Sequence, residues 1–411
     1  MMEYITKRVC VVGGGAAGMM AAGTAALYGA DVTVFENTDR LGKKLAITGK
    51  GRCNVTNNCT TLEFLENVTK NPRFLYAALN AFDTESTISF FENAGVKLKT
   101  ERGKRVYPES DKAKDIVDAM RAYVSGCTVL YNKVTKITHG DDGFTVTAAQ
   151  KSYKFDAVIL ATGGKSYPLT GSDGSGYRLA MNLGHKVTEL IPSLIPIESK
   201  SHLCKAMQGL SLKNVAIKIT DKNGKVLYTD FGEMMFAHFG VTGPVILSAS
   251  AHLRGCDISS LTLSIDLKPA LDEKELDKRL ISDFSKNSNK DFINSLSALL
   301  PAKMISTFIE LCGIDGRKKV NVITKEERKA ILKNLKEFEI KLDSFRPFEE
   351  AIITSGGIDV SGISPKDMQS KIVPGLFFAG EVIDVDAYTG GFNLQIAFST
   401  GYLAGKSAAE T

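Results

Sequence analysis

Short apolar runs punctuate an otherwise mixed chain. Val9-Cys10-Val11-Val12, Asp31-Val32-Thr33-Val34-Phe35-Glu36, Phe155 to Leu160 and Gly375 to Ala379 are each bounded by glycine or polar residues, and each reads as a short buried strand. Between the first two, Met19 to Tyr28 is rich in alanine and methionine and predicts a helix ended by Gly29. Strand, glycine turn, helix and strand in that order predict a βαβ unit and a parallel sheet.

Residues 60–127 read as mostly helical, with apolar positions at helical spacing in Phe74–Leu79, Ile88–Phe91 and Asp115–Val124. Lys97–Arg102 and Arg105–Pro108 predict a small hairpin between them. Thr128–Val134 is a further strand candidate, and Ile137–His139 with Phe144–Thr147 predicts a hairpin around Gly140-Asp141-Asp142-Gly143. Near Ile191 the pattern changes. Pro192 and Pro196 punctuate the chain, and alternating stretches at Val215–Ile219, Val226–Tyr228 and Leu261–Leu267 predict antiparallel strands. From Leu271 to Leu342 the pattern is helical and strongly charged. The expected domains are therefore 1–190 and 345–411 as one unit, interrupted by an insert at 191–344 that is β-rich over 191–270 and helical over 271–344.

At 411 residues, with 44% hydrophobic and 24% charged residues, the chain is long enough for two or three globular domains. A net charge of +5 suits an anionic cofactor and is too weak to argue for nucleic acid. Seven scattered cysteines predict reduced thiols in a cytoplasm rather than a disulfide framework. No apolar run has the length of a membrane span. The five histidines are dispersed, so no metal site is expected.

The chemistry concentrates between Arg8 and Asn57. Gly13-Gly14-Gly15-Ala16-Ala17-Gly18 is a G-x-G-x-x-G that follows a strand and opens a helix. Gly13 allows the tight turn, Gly15 lets a pyrophosphate approach the N–H groups of the helix N-terminus, and Gly18 lets helix and strand lie close. Glu36, ending the second strand, can accept hydrogen bonds from two ribose hydroxyls and would repel a 2′-phosphate. The site should therefore hold FAD or NAD rather than NADP. A long loop follows, from Asn37 through Arg40, Gly42, Lys43 and Lys44 to Thr48-Gly49-Lys50-Gly51-Arg52-Cys53-Asn54. Its glycines and cations suit a path beside a pyrophosphate toward a flavin ring, with Arg40, Lys43, Lys44, Lys50 and Arg52 able to neutralise negative charge.

With those two motifs the chain resembles the YhiN/BaiN-type flavoprotein family of NAD(P)/FAD-dependent oxidoreductases. Later segments extend the likeness. Ala161-Thr162-Gly163-Gly164 matches the A-T-G-G turn of many FAD proteins, and Gly171 to Tyr177 resembles the loop that flanks the dinucleotide. Phe231 to Pro244 resembles the family's G-E-x-x-F-x-H-x-G-x-[ST]-G-P motif, in which Thr242 can cap the following helix and His238 is the candidate acid, base or substrate donor. Gly380-Glu381, Asp384 and Gly391-Phe392-Asn393-Leu394 form the second half of the signature. The resemblance implies an α/β fold, with a doubly wound, Rossmann-like FAD-binding domain interrupted by an inserted β-barrel plus helical substrate domain. It places Val134 at the adenine, Gly380-Glu381 near the ribityl and pyrophosphate, and the helix opening at Gly391 against the flavin N1–C2=O edge. Cys53 is then a packed thiol near the cofactor.

The implied activity is FAD-dependent oxidation–reduction. The preferred direction is NAD(P)H-driven reduction of an activated C=C bond in a hydrophobic, steroid-like small molecule, with the nicotinamide visiting the flavin transiently. Oxidation of a small amine by dioxygen is the alternative. A reading from another class, a tRNA-associated flavoprotein, rests on the Lys-rich stretch around Arg317-Lys318-Lys319 and Lys325–Lys336, which reads more simply as a solvated helix face.

Overall fold

The computed structural model describes residues 6–411. The chain divides into two compact units, one comprising the residues up to Ser193 with Phe348–Thr411, the other Leu194–Pro347. The first unit is organised by a parallel sheet of β1 (Arg8–Val12), β2 (Asp31–Phe35), β3 (Thr128–Leu130), β4 (Ala157–Leu160) and β5 (Leu376–Phe378), in the order β5-β4-β1-β2-β3. Val9 lies opposite Val32 on one side and Ala157 on the other, so the most apolar run takes the central position. Val9 to Val12 are all buried, as parallel strands covered on both faces require.

Two helices matter most for the site. α1 (Ala16–Leu27) begins at Ala16 rather than Met19, because Ala16 and Ala17 are good helix formers and Gly15 already takes the N-cap. Every residue of α1 from Ala17 to Ala25 is buried. The last helix of the chain, Phe392–Glu410, packs along it at backbone distance. A Cβ on Gly401 would lie 2.5 Å from the Ala17 carbonyl oxygen, and one on Gly405 would lie 2.3 Å from that of Ala21. The i, i+4 glycines therefore present one bare face on which α1 rests.

The predicted strand at Thr128–Val134 stops at Leu130, where the Asn132 N–H turns back to the Leu130 carbonyl at 2.9 Å. Val134 instead opens a separate antiparallel sheet of Val134–Gly140, Gly143–Ala148 and Lys151–Phe155. The helix after the second glycine turn starts at Ser175, three residues before the expected Arg178, with Gly174 at the N-cap and the Ser175 N–H donating to Asp173 Oδ1 at 2.9 Å.

The second unit has a six-stranded antiparallel sheet in the order Ile197–Glu198, Gly240–Thr242, Val226–Ala237, Ser211–Thr220, Thr262–Asp266, Phe338–Lys341. Its ends meet. The Glu198 N–H donates to the Ser344 carbonyl at 2.7 Å, and the Asp343 N–H donates to that of Glu198 at 2.9 Å, so the sheet curls into a barrel. This corrects the reading of 271–344 as helical throughout. Helices occupy Glu273–Lys286, Ala302–Cys312 and Lys325–Lys336, but Phe338–Lys341 is a strand. Phe338 and Ile340 alternate buried against exposed Glu339 and Lys341, a period of two that overrides the charged composition. Thr242 is also corrected. It pairs with Met235 in the sheet, and the helix Pro244–His252 is capped by Gly243 with no side-chain acceptor. Pro244 does occupy the first turn, as expected.

No described helix is long and apolar enough to cross a membrane.

Candidate cofactor site

The first unit carries a cleft at the C-terminal ends of β1, β2 and β4, where an open parallel sheet binds its ligands. Each fingerprint glycine has a separate geometric cause. Gly13 has φ +106°, and a Cβ there would lie 2.5 Å from the Ala161 carbonyl oxygen. A Cβ on Gly18 would lie 1.8 Å from the Gly13 oxygen, so that position seats α1 against the turn. Gly15 is different: nothing lies within 4 Å of its Cβ position, which faces the cleft. α1 has no side-chain cap and no acid in its first turn, so its leading N–H groups, at Ala16, Ala17 and Gly18, and its positive dipole end are open to an anion.

Glu36 is buried beside this turn. Its Oε2 accepts from the Gly14 N–H at 2.8 Å and its Oε1 from the Thr38 N–H at 2.7 Å. Each carboxylate oxygen retains acceptor capacity, and Glu36 lines the cleft. Asn37, Lys43 and Lys44 also line it, with Lys43 paired to Asp39 at 3.0 Å. Gly42 sits behind the wall with φ +72°, its N–H donating to the Gly14 carbonyl at 2.9 Å.

On the opposite wall stand Ala161, Thr162 and Gly163. Gly164 lies beneath them, and a Cβ there would fall 2.4 Å from the Thr354 hydroxyl and 2.7 Å from Glu381 Oε1. That bare position admits a polar cluster which ties distant parts of the chain together. Lys44 Nζ donates to Glu381 Oε2 at 2.8 Å and to Ser166 Oγ at 2.6 Å. Glu381 Oε1 accepts from the Thr354 N–H at 2.9 Å and from the Ser166 hydroxyl at 3.1 Å. Gly380, with φ +75°, donates its N–H to the Thr400 hydroxyl at 2.9 Å.

The final helix opens with a second uncapped N-terminus. Gly391 has φ +99°, and a Cβ there would strike the Thr56 carbonyl oxygen at 2.3 Å. The first intrahelical bond is from the Gln395 N–H to the Gly391 carbonyl, so the N–H groups of Phe392, Asn393 and Leu394 precede the helical ladder. Phe392 packs edge-on against Phe64 at 5.2 Å, and Asn393 braces the preceding loop through Ala387 and Tyr388. Their side chains shape the turn.

Other expected residues stand elsewhere. Arg52 is turned onto Glu101 at 2.5 Å and Asp111 at 2.6 Å, and its guanidinium lies 4.2 Å from the Tyr107 ring centre. It therefore braces the glycine loop. Around it Gly49, Lys50, Gly51 and Cys53 all have positive φ, between 56° and 84°. Arg40 is exposed and does not line the cleft. The Cys53 thiol is fully buried, which pushes its pKa up to about 12 against a smaller opposing effect from a Thr48 hydrogen bond. Asp384 is buried and paired with Lys70 at 2.7 Å. Asn54 Oδ1 and the Thr162 hydroxyl are buried without a hydrogen-bond partner in the protein. In the second unit, His238 is exposed on the turn between Val226–Ala237 and Gly240–Thr242, edge-on to Phe239 at 5.1 Å.

Val134 lines the cleft, and beside it stand Asn132, Lys133, Thr170, Ser172, Ser175, Leu179 and Ala397. These were not identified as site residues from the sequence. Asn132, Lys133, Ser172 and Ser175 lie inside segments already singled out, Thr128–Val134 and Gly171–Tyr177, so membership of those segments was the available signal. Ser166, Thr354 and Gln395 carry no motif signal of their own.

The family described as HI0933-like protein Rossmann domain matches residues 7–407. The chain belongs to this family. It is an FAD-dependent oxidoreductase. Over 98% of its length it is 30% identical to the 3-dehydro-bile acid delta(4,6)-reductase of Clostridium scindens, covering 99% of that protein. It is also 27% identical to the ribosomal RNA dihydrouridine synthase of Escherichia coli, over 95% of each chain. The fold matches the 3-ketosteroid-delta4-(5alpha)-dehydrogenase structure from Rhodococcus jostii RHA1 with a TM-score of 0.53, at 16% identity, covering all of this chain and 98% of that one.

Proposed function

We propose that this flavoprotein saturates a C=C bond conjugated to a carbonyl group in a hydrophobic, steroid-like small molecule, with a nicotinamide nucleotide as transient electron donor. The observation that carries the reading is the pair of near full-length relatives. One is a delta(4,6)-reductase and the other makes dihydrouridine, which is uridine with a ring C=C bond saturated. Both of those activities add hydrogen across a C=C bond conjugated to a carbonyl, although their substrates are unrelated.

The residues of the cleft fit FAD. The uncapped α1 N-terminus and the open space at Gly15 would hold the pyrophosphate, and Glu36 the adenosine ribose. Val134 would border the adenine. Lys44, fixed between Glu381 and Ser166, would bring positive charge to the pyrophosphate side. The N–H groups of Phe392, Asn393 and Leu394 would donate to the N1–C2=O edge, where the dipole of the final helix favours negative charge. Bound FAD supplies the hydride chemistry. His238 is the candidate proton donor, supported by its exposed place in the family motif. A cytoplasmic setting is supported by seven cysteines that are all free.

Reduction of uridine in RNA is the second reading, favoured by the dihydrouridine synthase relatives. The basic segment offers it limited support. Lys318, Lys319, Arg328 and Lys336 are each paired within 2.6–2.8 Å of Glu327, Asp291, Asp277 and Asp266. Anaerobic addition of NADH or NADPH should bleach the oxidised flavin absorbance, and a conjugated enone steroid should restore it. Recovery with uridine-containing RNA but no steroid would select the second reading. Bleaching by neither nucleotide would refute the nicotinamide step.

A further inference from the structure

Residues 165–173 leave the A-T-G-G turn, cross the surface and return, and the Gly174 N–H closes the loop on the Gly164 carbonyl at 3.2 Å. Nine residues with hydrogen-bonded ends make a compact Ω-loop. Its outgoing limb is pinned, since the Lys165 and Ser166 N–H groups both donate to the Thr354 hydroxyl, at 2.7 and 3.2 Å. Its tip is not, and Leu169 is 89% exposed. The returning limb, Thr170, Gly171 and Ser172, forms a wall of the cleft at the end that also holds Glu36 and Val134.

That wall is tied across the cleft by two contacts from separate segments. Asn37, following β2, donates its Nδ2 to the Gly171 carbonyl at 3.3 Å. Lys133, following β3, pairs with Asp173 at 2.5 Å. Gly171 has φ +104°, and a Cβ there would lie 2.8 Å from Asn37 Oδ1, so the close approach needs glycine. Lys133 and Asn37 themselves line the cleft. We infer that the 165–173 loop is a clasp over the adenosine half of the cofactor, latched by the Lys133–Asp173 ion pair and the Asn37–Gly171 hydrogen bond, and that its opening sets the rate of FAD release.

The inference rests on FAD occupying the cleft as proposed. Both latch charges are partly exposed, at 46% for Lys133 and 30% for Asp173, so the pair holds the closed state only modestly and is screened by salt. Asp173→Asn keeps an oxygen that can accept from the Ser175 N–H while removing the charge, and Lys133→Met removes the ammonium while keeping the stem. Release of FAD from the purified holoenzyme can be followed by the rise in flavin fluorescence after dilution. Each variant should release FAD about two- to fivefold faster than the native protein. The double variant should be no faster than either single one, because both remove the same pair. Salt at about 1 M should accelerate the native protein and leave the variants nearly unchanged. Native protein that holds FAD but releases it at the same rate as both variants would overturn the clasp and leave the cofactor assignment intact. Failure of the native protein to bind FAD at all would overturn both.

Discussion

Truncating Glu36 to alanine probes the junction of turn and cofactor. The buried carboxylate accepts from the Gly14 N–H at 2.8 Å and the Thr38 N–H at 2.7 Å. Hydrogen bonds to a charged acceptor contribute about 1.5–3 kcal/mol each, so losing both costs the FAD-free protein at most about 3–6 kcal/mol. Water entering the vacated space moves the cost toward the lower figure. The proposed ribose contacts add a separate loss, roughly a 10- to 150-fold fall in FAD affinity per bond. Glu36→Gln divides the effects. It keeps one acceptor and turns an NH₂ toward the other backbone N–H, so it should cost about 1.5–3 kcal/mol. Urea unfolding of the FAD-free proteins reads the first quantity, and calorimetric titration with FAD reads the second. If Glu36→Ala loses stability but binds FAD with unaltered affinity, Glu36 only staples the turn and the ribose assignment is wrong. If neither changes, the argument from burial and hydrogen bonding fails as well.

His238→Gln should lower turnover while FAD content stays the same and the melting temperature moves by only about 1–2 °C, as expected for an exposed position. Coincident loss of FAD would instead assign His238 a structural role. Cys53 should resist iodoacetamide at pH 8 in the native protein and react only on unfolding, because burial holds its pKa near 12. The folded pKa lies above the unfolded value, so its contribution to stability is complete below about pH 9 and is lost as pH rises toward 12, which alkaline unfolding curves of native and Cys53→Ala protein can compare. Replacing residues 194–347 by a short Gly/Ser linker should leave a unit that binds FAD without substrate turnover. The cut ends lie close together, since Ser193 pairs with Ile353, five residues after Phe348. A fragment of residues 1–344 lacks β5 and the final helix, and finding it soluble with full FAD occupancy would contradict this account.

The sequence revealed those parts of the site that depend on local backbone. Gly13, Gly18 and Gly391 occupy positions where a Cβ would collide with a carbonyl oxygen, so each leaves a glycine in a recognisable pattern. Strands β4 and β5 are buried throughout and read as uninterrupted apolar runs, as does β1 after Arg8, while β2 keeps Val32, Val34 and Phe35 buried around a half-buried Thr33. Long side chains were less legible, because their direction depends on partners far along the chain. Arg52 looked available for a phosphate until Glu101 and Asp111 were brought beside it by the hairpin. Lys44 was named as a cation, but its partner Glu381 is 337 positions away and the intervening Ser166 gives no signal. The strand Phe338–Lys341 was hidden because four residues are too few to display a period against a charged helical background.

The parallel sheet also dictates an order of assembly at the ribosome. β4 is synthesised early, but its partner β5 emerges on the order of 200 residues later, after the whole of Leu194–Pro347. At roughly 5–20 residues per second, the outer edge of β4 and the glycine-facing side of α1 stay uncovered for about 10–40 s. The intervening unit is continuous in sequence and can complete its barrel during that interval. Nascent chains should therefore carry a folded second unit beside an unfinished, aggregation-prone nucleotide domain. That domain is the part of the protein most dependent on chaperones and on an available pool of FAD.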